Sequence, residues 1–197
     1  IEQGAVGGMS LLGFQFGCSS NADAIVPSTD QFTYFQGGGF DRSMLSFLQI
    51  DQHGNVNVSR LAARPHVTAG VGGFVDITAN ARNIVFSGYF RAAGLKLRVG
   101  DGGLAIEQEG KVGKLVPAVE QISFNGQRAL RKGQRVTYVT ERCVMQLTEA
   151  GLTVTEIAPG LDLQRDVLDQ AEIPLAVSPD LRPMDPRLFS PTPTTLK

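Results

Sequence analysis

A single carboxylate, Glu2, stands at the head of the chain, with Gly4, Gly7 and Gly8 following within six residues. Glycines leave little side-chain bulk beside that carboxylate and let another molecule approach the backbone closely. A second cluster, Gly70-Val71-Gly72-Gly73-Phe74, runs directly into a segment predicted as helix. Free backbone N–H groups at such a start can receive a phosphate or a developing oxyanion. The same run also reads as a tight strand-to-helix turn. A carboxylate in open surroundings and a set of backbone donors are the two features with the most chemical content.

The other reactive side chains read more plainly. Lys111 and Lys114 in "EGKVGK" are exposed hairpin lysines, with contact to an anionic group as the sharper alternative. Glu141 in "VTERCV" and Glu156 in "VTEIAPG" sit on predicted strands or strand ends near Arg or polar partners and read as structural. Asn55 and Asn57 serve a turn, and Gly37–Gly39 either end a helix or line a pocket. Cys18 and Cys143 are the only cysteines, too few for a disulfide framework, and read as reduced structural thiols. Cys18 is near Glu2 in sequence but has no His beside it, which disfavours a thiol nucleophile. His53 and His66 have no companions at ligand spacing, so no metal site is expected.

The elements that must position these groups follow from composition and pattern. The 197 residues are 42% hydrophobic and 19% charged, enough for one large domain with a full core. A formal net charge of −1 gives no basic excess to attract nucleic acid or an anionic membrane. No apolar run approaches the ~20 residues of a membrane span. "STDQFTYF" predicts a short helix capped by Ser28 or Thr29 and ended by the three glycines. Met44–Ile50 predicts a strand, Asp51–Gly54 a turn and Asn55–Val58 a second strand. "GVGGFVDITANAR" enters a helix and "NIVFSGYF" is a buried strand. "LKLRVGDGGLAIEQEG" turns at Asp101–Gly103 as a hairpin. "QRVTYVTERCVMQLTEAGLTVTEIAPG" gives strand, hairpin and strand, turning at Glu149–Gly151. "DLQRDVLDQA" is a helix capped by Asp162, and the proline-rich stretch after Pro174 is extended over the surface. Strands alternating with helices, with hairpins inserted, predict an α/β or mixed domain.

The pattern Glu-x-Gly-x-x-Gly-Gly over Glu2–Gly8, followed by Gly-x-Gly-Gly-Phe over Gly70–Phe74, resembles the family I coenzyme A-transferases. "YFQGGGFD", "DQHGNVNVSR", "AVEQISFNG", "YVTERCV" and "GLTVTEIAPGLDLQRDVL" follow in order and resemble the propionate/acetate (acyl-CoA:acetate/3-ketoacid) branch. The resemblance covers the chain to about Phe189 and implies a Rossmann-like open sheet with flanking helices and inserted β-hairpins, the type of that family's C-terminal domain. It implies a catalytic domain over 1–189 with a flexible tail at 190–197. The chain would be the C-terminal half, beginning just before its nucleophile, with the N-terminal half absent.

The resemblance further implies transfer of CoA between a short-chain acyl-CoA and a carboxylic acid such as acetate. Glu2 would carry a covalent glutamyl-CoA thioester. Gly72 and Gly73 lie nearest the oxyanion and CoA-binding role, with Gly70 shaping the turn. Gly4, Gly7 and Gly8 form the loop beside the nucleophile, and Lys114 is the candidate CoA phosphate contact. No metal or tightly bound cofactor is implied; coenzyme A is a substrate. The expected partners are the N-terminal half, on the same polypeptide or a separate chain, and further copies in a homo-oligomer, in the cytoplasm. Two rivals stand beside this reading. An acyl-CoA hydrolase on the same scaffold would release CoA without an acceptor acid. A non-catalytic binding or assembly domain would be indifferent to Glu2→Ala.

Overall fold

The computed structural model describes residues 2–63, 65 and 70–190. His66 and 191–197, most of the expected tail, lie outside the described residues. The centre is a six-stranded sheet of β1 (Arg42–Ser46), β2 (Asn83–Ser87), β3 (Arg135–Val139), β4 (Cys143–Thr148), β5 (Gly151–Ile157) and β6 (Ala176–Pro183). The strands lie side by side in chain order. β1, β2 and β3 run parallel, β4 is antiparallel to β3 and to β5, and β6 is parallel to β5. The expected α/β class is met, with a sheet that is mixed in direction. Three short helices accompany it: α1 (Ser28–Gln36), α2 (Phe74–Asn80) and α3 (Gly126–Arg131).

The period-2 pattern of the strands decides which face is buried. Ile84 and Phe86 of β2, Val136 and Tyr138 of β3, Met145 of β4, and Leu152 and Val154 of β5 are all at most 2% exposed. Each such side chain contributes roughly 1.5–3 kcal/mol by leaving water. Phe86 is the hub. Its ring stacks on Tyr138 at 5.6 Å and on Phe74 at 5.7 Å, and meets Phe124 edge-on at 5.1 Å. Phe74 is the first residue of α2, so this stack fixes the start of α2 against β2. The far end of α2 is held too: Gln134 Nε2 donates to the carbonyls of Thr78 and Ala81, and Lys132 Nζ to that of Ala79. These bonds satisfy carbonyls that the helix end leaves free.

Four local expectations are corrected. The strand predicted over Met44–Ile50 is two strands: β1 ends at Ser46, and Gln49–Asp51 belongs to a separate three-stranded sheet with Val56–Asn57 and Leu115–Val116. Parallel pairing of Ile50 and Asp51 with Leu115 and Val116 carries that departure, and the Asp51 carboxylate closes the following turn by accepting from the backbone of His53 and Asn55 and from Asn55 Nδ2. Helix α1 begins at Ser28 with Pro27 in the cap position and no side-chain cap, so neither Ser28 nor Thr29 caps it. The predicted helix after Gly160 is a five-residue π-turn, Gln164–Leu168. Its capping by Asp162 is present, since Asp162 Oδ1 accepts from Arg165 N at 2.7 Å while Asp166 returns a carboxylate to Asp162 N at 2.8 Å. Finally, the stretch after Pro174 is extended but does not merely lie on the surface: it is β6, the edge strand beside β5.

Candidate active site

Glu2 and the second glycine cluster, some seventy residues apart, meet in space. Gly73 N donates to Glu2 Oε2 at 3.1 Å. A methyl group on Gly72 would lie 2.8 Å from Glu2 Oε1, and one on Gly73 would lie 2.8 Å from Oε2 and 2.4 Å from the Phe32 ring. Gly72 also holds φ at +52°, a conformation that side chains rarely adopt. The carboxylate is half-buried, and among the described residues Oε1 receives no hydrogen bond. One oxygen is held by a backbone donor and the other receives no hydrogen bond among the described residues.

Each side of this contact has its own support. Gly73 lies immediately before Phe74, the residue anchored on Phe86, so its N–H direction is set by the core. Glu2 stands at the foot of an arm in which Ala5–Val6 pairs with Ala24–Ile25 and Met9–Ser10 with Ser19–Ser20. This arm corrects the reading of Gly4, Gly7 and Gly8 as open space for an incoming molecule. Side chains there would run into Val26 O, the Asp23 carboxylate and Ser20 O, so the arm itself fills the space they vacate. Gly70 departs from its neighbours as well: among the described residues a methyl there would meet nothing within 4 Å, Glu2 included.

Lys114 is not displayed on an exposed hairpin. Its Nζ donates to Phe47 O at 2.9 Å and sits 4.8 Å above the Phe47 ring. Burial lowers its pKa from the ordinary lysine value, against an opposing pull from Glu141. Its charge is turned toward the protein, which gives no support to a phosphate contact. Lys111 is exposed. Glu141 and Glu156 both have structural partners. Glu141 accepts from Phe90 N at 2.8 Å and from Arg142 Nε at 3.0 Å, and Glu156 pairs with Arg182 at 2.6 Å. Asn55 and Asn57 hold the arch, and Asn55 Oδ1 also accepts from Gly126 N at the start of α3. Gly37 and Gly38 close α1 by donating to carbonyls of its last turn.

Sequence reasoning missed the wall around Glu2. A cavity of about 340 Å³ opens beside the carboxylate, lined by Leu11, Phe16, Phe35, Phe40, Leu45 and Ile77 among others. Phe35 and Phe40 meet edge-on at 5.2 Å. The only signal for it was the density of aromatics flanking the Gly37–Gly39 turn. Among the described residues, no group of three or more His, Cys, Asp or Glu side chains could hold a metal ion. No helix there is long and apolar enough to cross a membrane.

Comparison with known proteins bears on the whole pattern. No family model matches the chain. Acetate CoA-transferase YdiF of Escherichia coli O157:H7 is 44% identical over 189 residues, 96% of this chain. The chain belongs to the family I CoA-transferases. It spans about 35% of the length of that relative. Caffeate CoA-transferase of Acetobacterium woodii is 42% identical over 191 residues, 96% of this chain and 36% of its own. The crystal structure of E. coli O157:H7 YdiF in a thioester complex with CoA matches this family member with a TM-score of 0.88 at 43% identity. That match covers 96% of this chain and 35% of the YdiF chain. The decarboxylase AibA/AibB matches with a TM-score of 0.67 at 18% identity over 91% of this chain and 67% of its own, a likeness of fold alone.

Proposed function

We propose that the complete protein transfers CoA between a short-chain acyl-CoA and a carboxylic acid such as acetate, with Glu2 as the covalent nucleophile. The observation that carries this is the asymmetric carboxylate: Oε2 held by Gly73 N–H and Oε1 unbonded. Oε1 attacks the thioester carbonyl, the C–S bond breaks, and CoA leaves as thiolate, giving an acyl-glutamyl anhydride. The thiolate then attacks the Glu2 carbonyl carbon and expels the donor's carboxylate, leaving glutamyl-CoA. The acceptor carboxylate attacks that thioester, and the same two steps in reverse deliver the new acyl-CoA and free Glu2. Covalent catalysis divides one difficult exchange into easier ones. When thiolate adds to the Glu2 carbonyl, negative charge builds on Oε2, the oxygen already facing Gly73 N–H. A preorganised donor there is worth about 2.7–4 kcal/mol by comparison with other oxyanion sites.

The relatives support the same reading, being an acetate and a caffeate CoA-transferase, one of them crystallised as a thioester with CoA. Because the chain spans about a third of their length, the remaining parts of the site come from the rest of the protein. That partner is the N-terminal CoA-transferase half, on the same polypeptide or a separate chain. The apolar arm next to Glu2 suits it, for Met9, Leu12, Phe14, Phe16 and Ile25 are all more than half exposed. Exposed apolar groups clustered in this way mark an interaction surface. Assembly into a homo-oligomer in the cytoplasm and a catalytic domain over 1–189 complete the proposal.

The test is a rapid-quench measurement of intact and peptide masses after the complete protein meets acetyl-CoA. The expected result is a CoA adduct on the peptide containing Glu2, absent in Glu2→Ala and discharged by an acceptor acid. Acetyl-CoA bound without an adduct refutes the glutamyl thioester. Steady release of CoA with no acceptor present moves the assignment to a hydrolase.

A further inference from the structure

The outer face of the central sheet carries a second cavity, of about 300 Å³, that no step of the chemistry above uses. Arg42, Asn83 and Arg135 are the first residues of β1, β2 and β3 and stand in register, Arg42 beside Asn83 and Asn83 beside Arg135. Their neighbours Ser43, Ile84 and Val136 are buried on the core face, so strand alternation sets all three on the opposite one. Neighbouring strands lie about 4.8 Å apart, which puts the two arginines about 9.6 Å apart at Cα. Thr137 and Gln146, opposite each other across β3 and β4, complete the polar wall.

The charge on this face has no internal counterpart. No described carboxylate lines the cavity, and among the described residues neither Arg42 nor Arg135 forms an ion pair or a side-chain hydrogen bond. Asp41, the acid next to Arg42 in sequence, stands 3.9 Å from Arg82 instead. Asn83 Nδ2 donates to Asp41 O at 3.0 Å, so Asn83 spaces the arginines without neutralising either. The Thr137 hydroxyl and the Gln146 amide are also unengaged among the described residues. A cleft lined by one sign of charge focuses its field and concentrates counter-ions. Each guanidinium presents paired N–H donors that match the oxygens of a phosphate or carboxylate. We propose that this cleft binds a small molecule bearing two ionised oxyanion groups, as in a diphosphate or a dicarboxylate. Arg42 and Arg135 each hold one group, and Thr137 and Gln146 donate to the remaining oxygens. The site goes beyond the transferase reading and does not depend on it. Arg42 also borders the cavity beside Glu2, whereas Arg135, Thr137 and Gln146 do not, so Arg135 is the position that separates the two.

The experiment is calorimetric titration of the complete protein with inorganic pyrophosphate and, separately, with succinate, in magnesium-free buffer at constant ionic strength. The expected result is saturable binding of one ligand per chain with Kd below about 1 mM. Arg135→Gln should weaken that binding by about tenfold or more, the loss of a charge-assisted hydrogen bond, while the thermal transition stays at the wild-type value. Gln146→Leu, on the facing strand, should weaken it by about threefold and supplies a second, independent variant. Arg131→Gln removes an exposed arginine of α3 and should change it by less than about twofold. The tighter of the two ligands identifies a phosphate ester or a dicarboxylate as the source of the paired charge. Succinate taken up beside Glu2 as an acceptor acid would not respond to Arg135→Gln, and saturating acetyl-CoA should leave pyrophosphate binding in place. Absence of saturable binding, equal losses in Arg135→Gln and Arg131→Gln, or one-for-one displacement by acetyl-CoA overturns the site.

Discussion

Adding one methyl group at Gly73 isolates the contact on which the proposed chemistry depends. In Gly73→Ala the new Cβ would lie 2.4 Å from the Phe32 ring and 2.8 Å from Glu2 Oε2. To reach an ordinary contact of about 3.4 Å the carboxylate must withdraw by about 0.6 Å. The same displacement opens the Gly73 N–H···Oε2 bond from 3.1 Å to about 3.5 Å, beyond the range of an ordinary N–H···O bond. Losing one oxyanion donor costs about 2.7–4 kcal/mol, or 10²–10³ in kcat. Gly73→Ala should therefore slow glutamyl-CoA formation in the complete protein by roughly 10²–10³ while the thermal transition falls only modestly. The assay is the single-turnover rate of CoA adduct appearance with acetyl-CoA by rapid quench and peptide mass. Adding Phe32→Leu relieves the ring clash but not the carboxylate clash, and should restore little. The contrast is Gly70→Ala, whose methyl meets nothing within 4 Å among the described residues and should cost less than about threefold. Gly73→Ala at the wild-type rate, or Gly70→Ala equally slow, would refute the argument.

Two further outcomes concern the structure around the site. Arg142 is fully buried against Glu109 and Glu141, with its guanidinium carbon 5.0 Å from the centre of the Phe90 ring. Burial raises the Glu109 pKa, but hydrogen bonds from Arg142 and Gly110 and the charges of Arg142 and Arg91 outweigh it and hold the carboxyl below its ordinary value. A depressed carboxylate stabilises the fold above its unfolded pKa, and that stability is lost as pH falls through the folded value. Arg142→Met should cost about 3–5 kcal/mol at pH 7 by stranding charge. The gap from wild type should narrow as pH falls through the carboxylate range; urea midpoints at pH 7 and pH 4 check both, and a constant gap contradicts the pairing. For the thiols, burial pushes Cys143 up to about 12, whereas Cys18 is exposed. At pH 8 about one Cys143 in ten thousand is thiolate, so iodoacetamide followed by peptide mapping should find Cys18 alkylated and Cys143 intact until the protein is unfolded.

Much of this arrangement was legible because local chemistry and tertiary structure agree. Glu2 and the Gly70–Phe74 cluster stood out by residue type and spacing, the resemblance singled out Glu2, Gly72 and Gly73, and the fold places these three in contact. Strands β2 to β5 announced themselves by β-branched runs and period-2 alternation, since one face of each is buried. What escaped the sequence depended on partners distant along the chain. Nothing local ends β1 at Ser46; Gln49–Asp51 leaves for another sheet by pairing with Leu115–Val116, some 65 positions away, with Ile50 N donating to Lys114 O. Gly4, Gly7 and Gly8 were seen, but their steric partners in residues 20–26 were not, so a self-filled arm resembled an open loop. Lys114 was read from a polar hairpin sequence, while the Phe47 carbonyl that engages it is 67 positions away. Helix α3 was missed although its signal was present. Asn125 before Gly126 is an N-cap, and its side chain accepts from Arg128 N at 2.8 Å.

The chain-order arrangement of the sheet has a consequence for synthesis. Each strand from β1 to β6 docks on the one made just before it, so no later strand must be threaded between two earlier ones. A chain emerging from its N-terminal end can extend the sheet by accretion, with one open edge advancing from β1 toward β6. The Glu2 arm is produced before any of these strands, but its contact with Gly73 becomes fixed only when Phe74 finds Phe86 on β2. Within this stretch of chain Glu2 is therefore made ahead of the sheet that positions its donor, and Phe74 meets Phe86 on β2 in a stack that Tyr138 of β3 completes.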